Sequence, residues 1–387
     1  MTARTTPSGA ALPWSAIAAI GGGLFGLGIA VGGYGAYVTA LVEAGVEPDA
    51  AGFGMSLFLL GQLLVVVPAD RLSRRLPVEW VTALGLGLGA VGIAIGGTLS
   101  LELTYAARLA LGLGQGAAFV AGMKYVGVRT TGADVATAQG LLGALFTLGL
   151  AVGVAATPEV LAAVGPVGPA VAGATVTGLG AVATLGLTTV VGGDPVAVRR
   201  YLAPYVSGPG LALGLANMAA FGFLVVAATW YAEVIAGTVL SVTAVLAGFA
   251  LSTFAGRAVG GWVSRVVGEA ATVAGALFGL GAVLGGLALA LAVDATLAIA
   301  AGLVLSGLGF GIPFGPLFSL AFAEFTDDPG VTLSGMLVVG NGGALAFPWL
   351  VGWLLARTEG YAAGFAAMAA SVLVIWLVWL RAVGLRT

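Results

Sequence analysis

The sequence predicts an all-α membrane protein of twelve transmembrane helices, built as two similar six-helix halves. Three observations carry this. Of 387 residues, 60% are apolar and 8% are charged, against about 45–50% and about 25% in ordinary soluble chains. A spanning helix needs roughly 20 apolar residues, and the chain has room for about twelve such helices with short loops. Residues 112–119, Gly-Leu-Gly-Gln-Gly-Ala-Ala-Phe, return as residues 307–314, Gly-Leu-Gly-Phe-Gly-Ile-Pro-Phe, an offset of 195. Gly140 and Gly335 stand at that same offset, and Asp70-Arg71 matches Ser264-Arg265 at nearly the same one. The 66 glycines fit this class, because glycine is frequent in membrane helices and lets their backbones approach closely.

The helices fall in order between charged loops. The polar stretch Met1–Pro13 has no apolar core of its own, so the first helix inserts as part of the mature chain. Helices at 14–42 and 51–68 lead into Arg71, Arg74 and Arg75, and helices at 78–98 and 101–124 lead into Lys124 and Arg129. Helices at 134–156 and 166–191 lead into the longest polar break, Gly192 to Pro209, with Asp194, Arg199 and Arg200. The second half repeats the pattern at 207–235, 239–263, 270–292, 295–322, 331–355 and 360–382. The predicted organisation is a bundle over 1–192, a cytoplasmic linker over 193–206 and a second bundle over 207–387.

Orientation follows from Lys and Arg in the loops. With the N-terminus inside, the inner loops and ends hold Arg4, Arg71, Arg74, Arg75, Lys124, Arg129, Arg199, Arg200, Arg265, Arg381 and Arg386, and the outer loops hold Arg357. Both termini are therefore expected in the cytoplasm, with the protein multi-pass in the plasma membrane. The chain has no Cys and no His, which removes disulfides, thiol nucleophiles, imidazole bases and the commonest zinc ligands. With no clustered acids and no soluble domain either, neither an enzyme nor a metal or cofactor protein is expected, and no nucleic-acid partner.

The sixteen Asp and Glu residues all fall in loops or within about a turn of a predicted helix end. Glu43, Glu102 and Glu233 are those near outer ends. No buried acid is thus placed to relay protons, whereas two arginines lie inside helices. A charge at mid-bilayer costs roughly 2.5–3.5 kcal/mol. Arg257, in Gly256-Arg257-Ala258-Val259-Gly260-Gly261, offers a planar fork of donors suited to a flat oxyanion. Its other reading is an arginine that snorkels to the inner end, about six residues away. Arg108 lies roughly 10 Å from its outer helix end. It is open to lining an outer vestibule, to pairing with Glu102 or to snorkelling outward. Lys124 reads as an inner-edge anchor, and Trp230, Tyr231, Trp376 and Trp379 as interfacial or lipid-facing aromatics. The Gly-x-Gly-x-Gly runs at 112–116 and 307–311 lie in membrane helices without a preceding strand, so they are packing faces and not nucleotide loops.

These features resemble the major facilitator superfamily. The stretch Val66-Val67-Pro68-Ala69-Asp70-Arg71-Leu72-Ser73-Arg74-Arg75 is similar to its loop 2–3 pattern Gly-x-x-x-Asp-Arg-x-Gly-Arg-Arg, with both glycines replaced. Gly260-Gly261-Trp262-Val263-Ser264-Arg265 resembles a second copy without the Asp, and Arg108-x-x-x-Gly112-x-Gly114-x-Gly116 resembles the helix-4 motif. Gly149-Leu-Ala-Val-Gly153 resembles part of an exporter motif, but Val154 replaces its Pro. The resemblance implies two six-helix bundles that rock about a mid-membrane site. It also implies that Asp70, Arg71, Arg74, Arg75 and Arg265 act as gating charges, with Asp70 accepting hydrogen bonds from a helix N-terminus or an Arg in one state.

A narrower resemblance is to the nitrate/nitrite porters, whose helix-8 motif Arg-x-x-Gly-Gly-x-x-Ser appears as Arg257, Gly260, Gly261 and Ser264. Gly340-Asn341-Gly342-Gly343 before Phe347-Pro348 is similar to their helix 11. Those porters also carry an Arg in helix 2, where this chain has Gly61-Gln62-Leu63-Leu64. Monocarboxylate and oxalate carriers likewise place an Arg in helix 8. With helices 1, 4, 7 and 10 lining the cavity in the superfamily, the resemblance points to Tyr34, Tyr37, Arg108, Gln115, Asn217 and Phe221, joined by Arg257 and Asn341, as substrate-binding residues. The expectation is a monomeric secondary transporter of a small anion, in a lipid bilayer, coupled to protons, to a counter-anion or to neither. The alternative is a proton-coupled exporter of apolar or cationic molecules.

Overall fold

The computed structural model describes residues 12–130, 133–191, 193–194, 196–236, 238, 240–325 and 328–382. Both chain ends, with Arg4 and Arg386, lie outside the described residues. Eleven helices among the described residues are long and apolar enough to cross a bilayer. They are α1 (Trp14–Glu43), α2 (Pro48–Ser73), α3 (Val78–Ile95), α5 (Ala133–Val164), α6 (Val167–Leu185), α7 (Gly208–Ala236), α8 (Val242–Val267), α9 (Glu269–Ala292), α10 (Thr296–Glu324), α11 (Gly330–Thr358) and α12 (Ala362–Ala382). The twelfth is α4 (Leu101–Arg129), 29 residues long. It carries Arg108, Gln115 and Lys124 and packs along both α2 and α3.

Local chemistry sets the ends. Ser100, Ser207 and Ser241 accept from backbone N–H groups at the starts of α4, α7 and α8, and Asp328 accepts from Gly330 N and Val331 N at the start of α11. Each satisfies an orphan donor of the first turn. Pro48, Pro209 and Pro329 stand in first turns, where a missing N–H costs nothing. Inside α2, Pro68 does not end the helix at 68 as expected; it continues to Ser73. The sixth helix stops at Leu185, short of the expected 191. The β-branched run Thr188-Thr189-Val190-Val191 instead lies extended against the start of α3, with Val78 N donating to Val190 O at 2.9 Å. Glu79 accepts from Val190 N at 3.1 Å. About two-thirds of the way along, α1 breaks at Gly33. A π-helical turn, Met218–Gly222, interrupts α7.

Glycine contacts tie each half together. A Cβ on Gly112 would overlap the Phe58 carbonyl of α2, and one on Gly307 would meet the Phe249 carbonyl of α8 at 2.5 Å. The repeated Gly-Leu-Gly segments thus occupy equivalent places, α4 on α2 and α10 on α8, as a small-residue packing face requires. The two halves meet along α2–α11, α5–α8 and α1–α7. At the end away from Asp70 they touch backbone to backbone: a Cβ on Gly35 would stand 2.5 Å from Ala228 O, and one on Gly352 would stand 2.5 Å from Pro48 O.

Three aromatic residues are placed differently from expectation. Trp230, Tyr231 and Trp379 are buried rather than lipid-facing, because each polar tip finds a partner on another helix. Trp230 Nε1 donates to Pro348 O at 3.2 Å, Tyr231 OH pairs with Ser306 Oγ at 2.7 Å, and Trp379 Nε1 donates to Ala270 O at 3.1 Å. Trp376 is half-buried against Phe278.

Candidate functional site

Between the halves, near mid-length of the helices, lies a narrow cavity with about 20 Å³ of space for water-sized spheres. It is lined by Gln115 and Phe119 of α4, Gly143 and Phe146 of α5, Asn217 and Phe221 of α7, Arg257 of α8, Phe314 and Phe318 of α10, and Leu337 of α11. Arg257 is the charged residue of this wall. Its guanidinium carbon sits 3.7 Å from the centroid of the Phe314 ring. Nη1 points at Gly143 O from 3.5 Å, and Nε is buried with no hydrogen-bond partner. Among the described residues no carboxylate lines the cavity. The snorkelling reading loses ground here, because α8 continues ten residues past Arg257 to Val267, about 15 Å at helical rise.

Beginning at Gln115 of this wall, an amide chain crosses the halves. Gln62 Nε2 donates to Gln115 Oε1 at 2.5 Å, and Asn341 Nδ2 donates to Gln62 Oε1. Asn341 is fully buried, and its Oδ1 has no partner. Asn217 Nδ2 reaches Met336 O at 3.4 Å. The site therefore joins one guanidinium, several amides and a ring of phenylalanines, which suits a small, partly apolar solute carrying negative charge.

Of the residues singled out in the sequence, Arg257, Gln115, Asn217 and Phe221 share this cavity, and Asn341 adjoins it through Gln62. Tyr34, Tyr37 and Arg108 do not reach it. Tyr34 OH donates to Ala51 O at 2.7 Å, and Tyr37 OH donates to Pro166 O at 2.6 Å. Arg108 stacks on Tyr34, 3.8 Å from the ring centroid, inside the first half. Of the readings open to Arg108, the pairing with Glu102 is not made: Glu102 accepts from Ser100 Oγ at 2.8 Å.

The gating charges divide in the same way. Asp70 is fully buried and takes Arg74 Nε at 2.7 Å, Lys124 Nζ at 3.1 Å and Tyr201 OH at 2.5 Å. Arg74 also binds Asp328 Oδ2, at 2.8 Å, and Asp194 O, at 3.0 Å. The carboxylates of Asp70 and Asp328 hold the Arg74 guanidinium above its ordinary value, and burial with the bond to Asp70 pushes the Tyr201 phenol up. Arg71, Arg75 and Arg265 are exposed and make no ion pair among the described residues. Sequence reasoning left Gln62, Tyr201 and Asp328 out of the site, and read Lys124 first as an inner-edge anchor. Gln62 occupies the helix-2 stretch in which the nitrate/nitrite porters carry an arginine.

This arrangement, two helical bundles enclosing a cavity and bridged at one end by loop charges, has known counterparts. The profile of the Major Facilitator Superfamily matches residues 18–348. The chain belongs to that superfamily. The fold agrees: the crystal structure of the human organic anion transporter MFSD10 (TETRAN) superposes with a TM-score of 0.72, covering 95% of this chain and 99% of that one at 15% identity. No curated protein is significantly similar in sequence. Superfamily and fold are those of transporters, so this is a multi-pass membrane transporter of the major facilitator type.

Proposed function

We propose that this transporter is a secondary active carrier of a small anion, of nitrate/nitrite or monocarboxylate type, working by alternating access. One observation carries the reading: Arg257 lines the cavity between the halves with a buried, unpartnered Nε, and among the described residues no carboxylate lines the same wall. A buried cation left without a counter-charge is costly, and an anionic solute supplies the missing charge. The neighbour MFSD10 is described as an organic anion transporter, which supports the class and no particular solute. On this reading residues 1–192 and 207–387 rock as two units joined by 193–206. The Asp70 end faces the cytoplasm, as the loop Lys/Arg bias requires. The carrier is a plasma-membrane monomer coupled to protons or to a counter-anion.

The alternative, a proton-coupled exporter of apolar or cationic molecules, has one feature in its favour. Glu233 of α7 has a buried Oε2 with no partner, so it is a candidate proton carrier. Uptake of labelled nitrate, formate and lactate into proteoliposomes separates the two. Arg257→Gln is expected to lower anion uptake at least tenfold; uptake that survives the change sinks the anion reading.

A further inference from the structure

A second, tight cavity, with about 20 Å³ of space for water-sized spheres, lies within the first half and away from the site between the halves. It is walled by α1, α3, α4, α5 and α6, at the helix ends remote from Asp70. Its surface is mostly apolar and small, from Ala30, Gly33, Gly92, Gly96 and Ala170. The exceptions are the Tyr37 and Thr157 hydroxyl residues and Arg108. Tyr37 has already spent its proton on Pro166 O.

Arg108 is 7% exposed. A guanidinium has five N–H donors. One of them, on Nη1, reaches Ala30 O at 3.1 Å, beside the break in α1 at Gly33. One face of the group is taken by the Tyr34 ring. Among the described residues no carboxylate forms an ion pair with it. A full positive charge thus sits in a small apolar chamber with donors to spare.

We propose that this chamber is a second anion site, filled by a small, weakly hydrated monovalent anion of the halide kind. The chemistry selects that class. One cation and apolar walls cannot replace the hydration shell of a divalent anion, whose desolvation is far more costly. A monovalent anion that gives up water easily gains the Arg108 charge-assisted hydrogen bonds and neutralises the chamber. The site stands on residues other than those of the cavity between the halves, so it does not depend on the anion reading given there.

Bromide tests it directly. Crystals of the wild type, Arg257→Gln, Arg108→Gln and Ala170→Leu are soaked in sodium bromide, and anomalous density is collected at the bromine edge. The last variant keeps Arg108 and fills the chamber, so the test survives if Arg108→Gln fails to fold. A bromide peak beside Arg108 in the wild type and in Arg257→Gln, lost on filling the chamber, is the expected result. A peak at Arg257 alone overturns this site and leaves the transport reading standing. A peak in the chamber that persists in Arg108→Gln also overturns it, since the cation would then not be its ligand.

Discussion

Arg74 and Asp328 stand 254 residues apart in the chain and 2.8 Å apart in space. Through Nε the same guanidinium holds Asp70, so a single side chain of the first half ties a buried acid of its own half to the first turn of α11 in the other. Breaking a buried pair by removing one partner costs about 3–5 kcal/mol, whereas exposed charges change stability by about 0.5 kcal/mol or less. Arg74→Gln should therefore lower the melting temperature of the purified protein by several degrees, while Arg71→Gln and Arg75→Gln leave it near the wild type. Equal losses from all three would show that the loop charges act only in bulk.

Gly330 offers a finer probe of the same junction. A Cβ there would stand 2.6 Å from Asp70 Oδ1 and 3.3 Å from Asp328 Oδ1. Gly330→Ala should push α11 off the Asp70 carboxylate without removing any charge, and shift the population toward the form open at the Asp70 end by about tenfold, about 1.4 kcal/mol. Spin-label distances between the ends of α2 and α11 at that face read the shift. A distribution identical to the wild type would mean the turn yields instead.

Tyr201 ties the linker into this junction, and its titration gives a signature. The unfolded chain releases a tyrosine proton near pH 10.0, and the folded chain holds this one to higher pH because the phenol is buried and donates to Asp70. The folded state then binds more protons above the unfolded value. The stabilising contribution is thus complete below pH 10 and is lost as pH rises toward the folded value. Tyr201→Phe should melt lower than the wild type at pH 8, and the gap should narrow in melts run from pH 10 upward. A gap that stays constant across this range would place the effect in packing alone.

Much of this architecture was legible in the sequence, and the reasons for the rest are physical. Apolar runs and the 195-residue repeat give the helices and the halves, because spanning a bilayer leaves a composition signal that survives any packing detail. Polar residues in apolar helices are conspicuous, which is why Arg257, Gln115, Asn217 and Asn341 could be picked out. Phe119, Phe146, Phe314, Phe318 and Leu337 could not, since an apolar residue facing the cavity looks like one facing lipid. The partners of Asp70 were half visible. Arg74 is four residues away, whereas Lys124 and Tyr201 are brought in by tertiary structure alone. For Arg108 the neighbour in sequence, Glu102, turns to Ser100, and the ring it stacks on, Tyr34, comes from another helix.

The amide chain between the halves should behave as a unit. Gln62→Leu removes the partner of both Gln115 Oε1 and Asn341 Nδ2, leaving two buried polar groups unmet at about 1–3 kcal/mol each. Asn341→Leu removes a group that already has an unpaired Oδ1 and should cost less. A double-mutant cycle on unfolding should show the pair falling short of additivity by about 0.5–3 kcal/mol. Strict additivity would mean that the two amides do not share a bond in solution.

The π-helical turn at Met218–Gly222 sits directly after Asn217 and contains Phe221, both of them on the cavity wall. A π turn takes one more residue per hydrogen-bonded loop than an α turn. Deleting one residue there would restore the ordinary spacing while leaving Trp230 and Tyr231 facing their present neighbours. In α7, then, it is the length of the chain, rather than any side chain, that sets the outline of the cavity, and a single-codon deletion is the change that would redraw it.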